Sequence, residues 1–402
     1  MNDNVMPNQP EFEKISDELR ESNADTNKVK AKKQRKKSQR IIRIAIKCVI
    51  SLILVIVIAL GGYVGYMTAI EFNPKDTETA EKGKTVKYGK ISTDNTSTVR
   101  ILTFNTGYAG LGEEADFFLD GGESVNPESQ VFVNKNLTGI GDIVRDENAD
   151  IVLLQEVDID ADRTYNNNQW TEYQRIFGDY SSYFAYNYFC KYVPYPLKEN
   201  MGKINSGIAT FNKYIMSSGT RYSLPCPFTW PNRIFNIKRC LLVTRTPIEG
   251  RKEELVVVNL HLEAYDSGEG KKAQTERLMK ILEEEYNKGN YVIAGGDFNQ
   301  MFPDTVKKYP IKETSEWAPG ILEALPENWK YVFDESTPTC RLLNQPYYEY
   351  SQLTQHYVID GFIVSPNVEV KSVKTVDQHF KYSDHNPVLG EFELKSSSEA
   401  EN

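Results

Sequence analysis

The sequence predicts an α/β or α+β domain preceded by one membrane-spanning helix. Two observations indicate the domain: short apolar runs such as VRILTF, DIVLLQ, ELVVVNLHL and NYVIAGG recur between Val99 and about Lys395, and helical stretches such as KKAQTERLMKILEEEYNKG lie between them. The third observation is an uncharged apolar run of 23 residues from Cys48 to Ile70. The chain of 402 residues, 40% of them hydrophobic, can bury a sizeable core, which excludes a fibre or a disulfide knot.

The apolar run is long enough to cross a membrane, because a helix rises about 1.5 Å per residue and needs about 20 residues to span the hydrocarbon core. A buried core helix is disfavoured, since the run leaves no polar face for solvent. A cleaved signal peptide is also disfavoured, because a region of 47 residues precedes the run and no A-x-A site follows it. We therefore predict an uncleaved signal anchor at residues 48–70.

Charge predicts the orientation of this anchor. Ten Lys or Arg and no acid lie between Lys28 and Lys47, which favours a cytoplasmic N-terminus and an extracytoplasmic remainder. The predicted organisation is a basic, disordered cytoplasmic tail at residues 1–47, the anchor, a flexible extracytoplasmic stalk at 71–98, the folded domain at 99–395 and a polar tail at 396–402. The predicted location is the cell membrane, with a single span.

The two parts of the chain also differ in net charge. Residues 1–47 carry 12 Lys and Arg against 7 acids, a balance of +5, and the remainder carries 35 against 49, a balance of −14. A domain at −14 lacks the basic surface that sequence-independent nucleic-acid binding requires. The cysteines after the anchor have no zinc-site spacing, and the sequence does not assign a disulfide pairing to them.

Polar side chains lie at or near the ends of most of the apolar runs. A strand alternates its faces with a period of two, so Asn259 and His261 share a side, as do Asp297 and Asn299 if the chain stays extended. Such alternation can direct carboxylate, amide and imidazole groups into one cleft. The candidates are Asn105, Glu156, His261, Asp297, Asn299, Asp360, Asp384 and His385.

This set of groups suits the attack of water on a phosphate ester. The reaction needs a hard cation, oxygen ligands that hold it and groups that move protons near neutral pH. Glu156, Asp297 and Asp384 suit Mg²⁺ or Mn²⁺, and the histidines suit proton transfer. Arg239, beside the run CLLVTR, is a candidate for binding the phosphate because its planar fork donates several hydrogen bonds.

Six segments resemble, in order, the signature of the endonuclease/exonuclease/phosphatase superfamily: TFN, LLQEVD, NLHLEAY, GGDFN, YVIDGFIVS and SDHNPV. The resemblance spans about residues 99–395. The segments FFLDGG, LLQEVDIDADRTY and INSGIATFNKY are further similar to a group of membrane-anchored bacterial members of that superfamily.

The resemblance implies a two-sheet β-sandwich flanked by helices, a four-layered arrangement with the site where the loops of both sheets meet. Glu156 would bind the Mg²⁺ or Mn²⁺ ion with Asn105 beside it, and Asp384 would complete the acidic end of the cleft. Asp297 and Asn299 would position the attacking water or a second ion.

The resemblance assigns proton transfer to two histidines. Asp360 would pair with His385 and hold the tautomer that accepts a proton, and His261 would contact the scissile phosphate or protonate the leaving oxygen. The HLEA pattern is closer to the deoxyribonuclease, sphingomyelinase and inositol-phosphatase branches than to the abasic-site endonuclease branch. Arg239 more loosely resembles the phosphate-contacting arginine of the deoxyribonuclease branch.

The sequence departs from the family pattern between Asn105 and Glu156. There an insertion, residues 108–132, is expected to form a loop near the mouth of the cleft. Its acids would repel a polyanion unless metal binds them: Glu113, Glu114, Asp116, Asp120 and Glu123.

These features predict a metal-dependent phosphoesterase that hydrolyses a phosphodiester, with a nucleic acid, a nucleotide or a phospholipid headgroup as the substrate. One alternative is a headgroup-releasing phospholipase of the sphingomyelinase type. A second is a non-catalytic surface receptor for a phosphorylated ligand. Each polar residue alone could be a turn or cap residue, but chance does not easily produce all of them in family order. No protein partner can be inferred from the sequence.

Overall fold

The computed structural model describes residues 9–86, 89–92, 98–312, 317–348 and 354–395. The predicted polar tail at residues 396–402 lies outside the described residues. The chain divides into two units, Met1–Ile70 and Glu71–Asn402, and each is described by itself.

The N-terminal unit contains one long helix, α1 (Gln9–Ala69). Among the described residues it is the one helix that is long and apolar enough to cross a membrane. The structure differs from the predicted disordered tail, since the basic segment is helical from Gln9 onward. This segment is rich in Lys, Arg, Gln and Glu, which are good helix formers and therefore let the apolar helix extend towards the N-terminus.

The second unit contains 18 described strands and three described α-helices, which we number in chain order after α1. The helices are α2 (Gln130–Glu147), α3 (Gln169–Ile176) and α4 (Glu269–Tyr286). The strands are β1 (Thr77–Thr79), β2 (Glu81–Lys82), β3 (Thr98–Asn105), β4 (Ile151–Asp158), β5 (Ser181–Val193), β6 (Gly202–Asn212), β7 (Ser218–Ser223), β8 (Cys240–Pro247), β9 (Glu254–His261), β10 (Tyr291–Asp297), β11 (Gln300–Met301), β12 (Gly320–Ile321), β13 (Lys330–Val332), β14 (Cys340–Arg341), β15 (His356–Tyr357), β16 (Asp360–Val364), β17 (Val368–Thr375) and β18 (Val388–Leu394).

Two seven-stranded sheets contain most of these strands. One has the order β1-β7-β8-β9-β10-β16-β13 and the other the order β17-β18-β3-β4-β6-β5-β2. Each sheet has one parallel pair near its centre, β3 with β4 and β9 with β10, and a helix lies between the two strands of each pair in sequence. Parallel neighbours need such a crossover because their ends are far apart.

Alternation along the central strands explains the layers. In β4, Ile151 and Leu153 belong to the core between the sheets, whereas Val152 and Leu154 pack with the residues of α2. In β9, Leu255 and Val257 face the same inter-sheet core, whereas Val256 and Val258 pack with α4. Strands buried on both faces read as continuous apolar runs. The predicted two-sheet sandwich flanked by helices is confirmed.

The helices on the outer faces begin and end where the sequence supplies capping residues. The side chain of Ser129 accepts a hydrogen bond from the Phe132 backbone N–H at the start of α2, and Asn148 ends this helix in the left-handed region. Asn168 caps α3 in the same way by accepting the N–H of Thr171.

The predicted flexible stalk at residues 71–98 is wrong for part of its length. Strand β1 pairs with β7, and β2 pairs with β5, so both sheets gain an edge strand from this segment. Ile91 is buried in the core between the sheets. The sequence pattern missed these strands because they are two or three residues long and too short to display a period.

Candidate active site

The strand ends of the two sheets bring the predicted site residues together. In the pairing of β10 with its neighbours, Asp297 lies opposite His261 of β9 on one side and Asp360 of β16 on the other. Asn105 is the last residue of β3 in the facing sheet. The backbone register of two sheets therefore determines which side chains meet at this edge.

Glu156 reaches the same point through an irregularity in its strand. The pairing of β4 with β6 shifts register between Leu154 and Val157, and Glu156 has a positive φ of 54°. A bulge turns a side chain away from the regular alternation, and a non-glycine residue with positive φ carries strain. The Glu156 side chain, 25% exposed, is the most accessible carboxylate of the cluster described next.

We call Asn105, Glu156, His261, Asp297, Asp360, Asp384 and His385 the strand-end cluster. Asn105 lies at its centre. Its Nδ2 is 3.2 Å from Glu156 Oε1, 3.0 Å from Asp297 Oδ2 and 3.4 Å from His385 Nε2. Its Oδ1 accepts the Gly107 backbone N–H at 3.1 Å. Asn105 therefore presents a hydrogen-bond donor to the carboxylates, and not the oxygen that a metal ligand would present.

His385 is oriented by a buried carboxylate. Its Nδ1 lies 2.8 Å from Asp360 Oδ2, so the predicted pair of these residues is present. Its Nε2 then faces Asp297 Oδ2 and Asp384 Oδ2, each at 3.8 Å. Burial lowers the pKa of His385, but the negative charge of Asp360 outweighs this and raises the pKa well above its usual value. The Ser383 hydroxyl donates to the Asn105 carbonyl and holds this segment against β3.

His261 and Arg239 form the other side of the cluster. His261 Nε2 is 3.4 Å from Asp297 Oδ2 and 3.8 Å from Glu156 Oε1. Burial and the positive charge of Arg239 lower the pKa of His261 well below its usual value. This ring is therefore neutral at pH 7, whereas the opposite environment favours a charged His385.

Arg239 is a buried cation with unused donors. Its side chain is 4% exposed, and its nearest carboxylate oxygen, Glu263 Oε2, is 3.9 Å from Nε. Neither Nε nor Nη1 makes a hydrogen bond to the described residues. Buried polar groups are nearly always paired, so two idle guanidinium donors at the wall of a cavity indicate an anionic ligand.

Asn299 supports the cluster through Asp297. Its backbone N–H donates to Asp297 Oδ1 at 2.8 Å, and its side-chain amide donates to the Leu262 carbonyl at 2.9 Å. Asn299 has a positive φ of 50°, which asparagine tolerates better than most residues. The structure thus brings all nine predicted residues, including Arg239, to one region.

The carboxylates of the strand-end cluster are crowded. Burial and the charge of Asp360 raise the pKa of Asp297 to about 7. Burial, together with the charge of Glu156, raises the pKa of Asp384 to about 6. A divalent cation would compensate this concentration of negative charge, and carboxylate oxygens are the ligands that Mg²⁺ and Mn²⁺ prefer. The residues present therefore fit the predicted ion.

A cavity of about 460 Å³ opens onto the cluster. Its walls include residues that the sequence did not single out as site residues: Tyr108, Phe117, Phe118, Asp120, Tyr195, Tyr265, Trp317 and Cys340. Tyr265 lies in the NLHLEAY motif, four residues after His261, which is the one local signal that could have identified it. Asp120 was visible only as one of several acids in the insertion.

Comparisons with known proteins identify a family and similar folds. Residues 102–385 match the family described as the Endonuclease/Exonuclease/phosphatase family. A solved endonuclease/exonuclease/phosphatase from Beutenbergia cavernae DSM 12333 is 18% identical, with 75% of this chain and 72% of that chain covered and a TM-score of 0.52. A comparison with curated proteins finds no match.

Two further solved structures also match this chain. ANGEL2, described as a 2′,3′-cyclic phosphatase and solved with adenosine-2′,3′-vanadate, is 13% identical, with 81% of this chain and 100% of that chain covered and a TM-score of 0.51. D. rerio TDP2, solved with a single-strand DNA product, is 14% identical, with 74% and 99% covered and a TM-score of 0.46. At such identities the similarity concerns the fold.

Proposed function

This chain belongs to the endonuclease/exonuclease/phosphatase family, and from that membership we propose that it is a divalent-metal-dependent phosphodiesterase anchored in a membrane. The observation that carries the proposal is the meeting of the strand-end cluster with Arg239, a buried cation whose Nε and Nη1 have no partner among the described residues. Carboxylates for a metal ion, a carboxylate-paired imidazole and an idle guanidinium are the groups that hydrolysis of a phosphate ester requires.

Glu156 and Asp384 would hold Mg²⁺ or Mn²⁺, with Asn105 and Asp297 beside them. When bound, the ion neutralises charge on the phosphoryl oxygens. Asn105 donates hydrogen bonds to the carboxylates of Glu156 and Asp297, which keeps these side chains in place before the ligand arrives. Arg239 would bind a non-bridging phosphate oxygen with the donors that are otherwise idle.

With a divalent cation held beside it, His385 would have a lower pKa than in the ion-free site, and its neutral ring would accept the proton of the attacking water. The oxygen of that water forms a bond to phosphorus, and the bond between phosphorus and the leaving oxygen breaks. Asp360 holds Nδ1, which leaves Nε2 directed at the cluster, and stabilises the imidazolium that forms. His261, which is neutral, would donate a hydrogen bond to the scissile phosphate or to the leaving oxygen, and the departing oxygen would take its proton from solvent.

Helix α1 supports the membrane part of the proposal. Its apolar stretch follows a flank with ten Lys or Arg and no acid between Lys28 and Lys47. A cytoplasmic N-terminus would then leave the catalytic unit on the extracytoplasmic side. Proteolysis of intact cells, or of right-side-out vesicles, would remove the catalytic unit if this orientation is correct.

The full chain in detergent micelles provides the test of metal dependence. We expect it to hydrolyse bis(p-nitrophenyl) phosphate with Mg²⁺ or Mn²⁺, to lose activity with EDTA and to regain it when the ion is added back. The variant Glu156→Ala should lose at least about a thousandfold in kcat/KM. Turnover that persists in EDTA would contradict the proposal. Binding of phosphate esters without any turnover would favour the receptor alternative.

A further inference from the structure

The insertion forms a wall of the cavity beside the strand-end cluster. Arg341 holds it there, because its Nη2 donates hydrogen bonds to the Gly112 carbonyl at 2.8 Å and to the Ala115 carbonyl at 3.0 Å. The Phe117 backbone N–H donates to the Leu343 carbonyl at 2.8 Å. These contacts place Phe117, Phe118 and Asp120 on the cavity lining.

The six acids of the insertion, which are the five named above and Glu128, have different surroundings. Glu114 forms an ion pair with Lys135 at 2.8 Å, and Asp116 accepts the backbone N–H groups of Glu123 and Ser124. These acids are satisfied within the loop and its neighbours. Among the six, Asp120 is the one that lines the cavity. Of the acids that the sequence predicted to repel a polyanion unless metal binds them, Asp120 is therefore the one that a bound ligand would meet.

Asp120 is buried without a counter-ion. It is 6% exposed, and its Oδ1 accepts the Tyr265 hydroxyl at 3.0 Å. No Lys, Arg or His of the described residues lies within ion-pair distance of it. Burial, with the charge of Asp384, raises the pKa of Asp120 to about 7. A buried carboxylate is costly unless a cation pairs with it, so the missing cation is expected to come from a ligand.

Aromatic rings line the cavity that Asp120 also lines. The ring centroids of Phe117 and Phe118 are 4.9 Å apart, and those of Phe118 and Tyr195 are 5.7 Å apart. Aromatic faces attract ammonium groups, most strongly where water is excluded. The cavity is lined by a guanidinium with unused hydrogen-bond donors, by a carboxylate without a counter-ion and by aromatic rings. These groups are complementary to a zwitterion.

We propose that the substrate is a phosphodiester of an amino alcohol, with its phosphate at Arg239 and its ammonium or trimethylammonium group held by Asp120 and the rings of Phe118 and Tyr195. This inference rests on the proposed phosphodiesterase function. The cavity volume of about 460 Å³ suits such a headgroup, since small-molecule sites measure about 300–1,000 Å³. A nucleotide would place a neutral base against the rings and bring no positive charge to Asp120, so the amine is favoured.

The test compares three soluble p-nitrophenyl diesters with the full chain in detergent: the choline ester, its carbon isostere with a tert-butyl group in place of the trimethylammonium group, and the thymidine ester. The wild type should hydrolyse the choline ester with a kcat/KM at least about tenfold above the isostere, because only the cation pairs with Asp120. Asp120→Asn should bring this ratio close to one.

The matched control is Glu123→Gln, which removes one negative charge from an exposed position of the same loop. It should leave the ratio of the two rates as in the wild type. Phe118→Leu tests the rings separately and should lower the ratio about threefold or more by removing the cation–π contact. If Asp120→Asn does not fold, the ratio of kcat/KM for the choline ester to that for the isostere, measured in the wild type and in Phe118→Leu, still tests the proposal.

The outcomes separate this inference from the proposed function. Equal rates for the choline ester and the isostere, or faster hydrolysis of the thymidine ester, would overturn the amine assignment while leaving a phosphodiesterase. Hydrolysis of none of these esters, nor of bis(p-nitrophenyl) phosphate, would overturn the function itself. If the choline ester is preferred, the rates with vesicles of phosphatidylcholine and with soluble glycerophosphocholine are then compared. The faster of the two shows whether the substrate is a lipid headgroup or a free ester.

Discussion

The strand-end cluster and the insertion differ in how their side chains are held. Asp297 is positioned by backbone pairing on both sides, with β9 and with β16, whereas Asp120 depends on a loop that Arg341 and a few backbone hydrogen bonds fasten. Sheet register leaves little freedom to the groups that carry out the chemistry. A loop can change its residues without disturbing the sheets. The comparison indicates that the sheets position the groups that carry out the reaction, whereas the insertion positions the group that selects the substrate.

Among the variants that test this division of roles, the largest effect on kcat/KM is expected at Arg239. Arg239→Ala should lower kcat/KM by about a hundredfold to a thousandfold for every phosphodiester, because it removes the donors to the phosphate that all substrates share. Arg239→Lys should keep part of the rate, since it retains the charge but not the planar fork. Steady-state kinetics with the choline ester and its isostere would check this. A loss confined to one ester would contradict the division of roles.

A smaller effect is expected at Asp360. Asp360→Asn should lower kcat/KM by about a hundredfold, because His385 loses the partner that orients its ring. The Asp360 charge raises the pKa of His385, so its removal lowers that pKa. The basic form of the imidazole is then present at lower pH, and the acidic limb of the pH profile of kcat/KM should move to lower pH.

Asp142→Asn is the matched control for this change, because Asp142 lies on the surface of α2 and pairs with Arg145. It should leave both the rate and the pH profile as in the wild type. An acidic limb that stays in place in Asp360→Asn would show that His385 is not the group that titrates.

The smallest effect on the reaction is expected at Arg341, which fastens the insertion. Arg341→Met leaves the carbonyls of Gly112 and Ala115 without their donor, which costs about 1–3 kcal/mol per buried group. The thermal unfolding midpoint should fall, and the preference for the choline ester over its isostere should fall several-fold. Arg145→Met, on an exposed helix surface, should change neither. A choline preference that survives in Arg341→Met would show that the insertion does not set specificity.

The sequence was sufficient to predict the layers of the fold and the residues of the strand-end cluster. Runs such as DIVLLQ and ELVVVNLHL are apolar on both faces because each strand packs between a helix and the other sheet, and the polar residue that follows each run lies at the edge where the sheets meet. Local periodicity carries this information directly.

What the sequence could not provide depends on contacts between distant residues. Strands β1 and β2 form only because β7 and β5 offer them an edge. The orientation of the Asn105 amide follows from the Gly107 N–H that its oxygen accepts. Asp120 faces the cavity because Arg341, more than 200 positions away in the chain, holds the loop. None of these arrangements leaves a periodic trace in the sequence.

The measurement that tests the central claim most directly is hydrolysis of bis(p-nitrophenyl) phosphate by the full chain and by His385→Ala, with Mn²⁺ or Mg²⁺ present. His379→Asn is the control, because His379 is an exposed histidine with a positive φ of 51° that asparagine tolerates. We expect His385→Ala to lose at least about a thousandfold in kcat/KM and His379→Asn to retain the wild-type rate. Full activity in His385→Ala would contradict the assignment of the strand-end cluster as the active site.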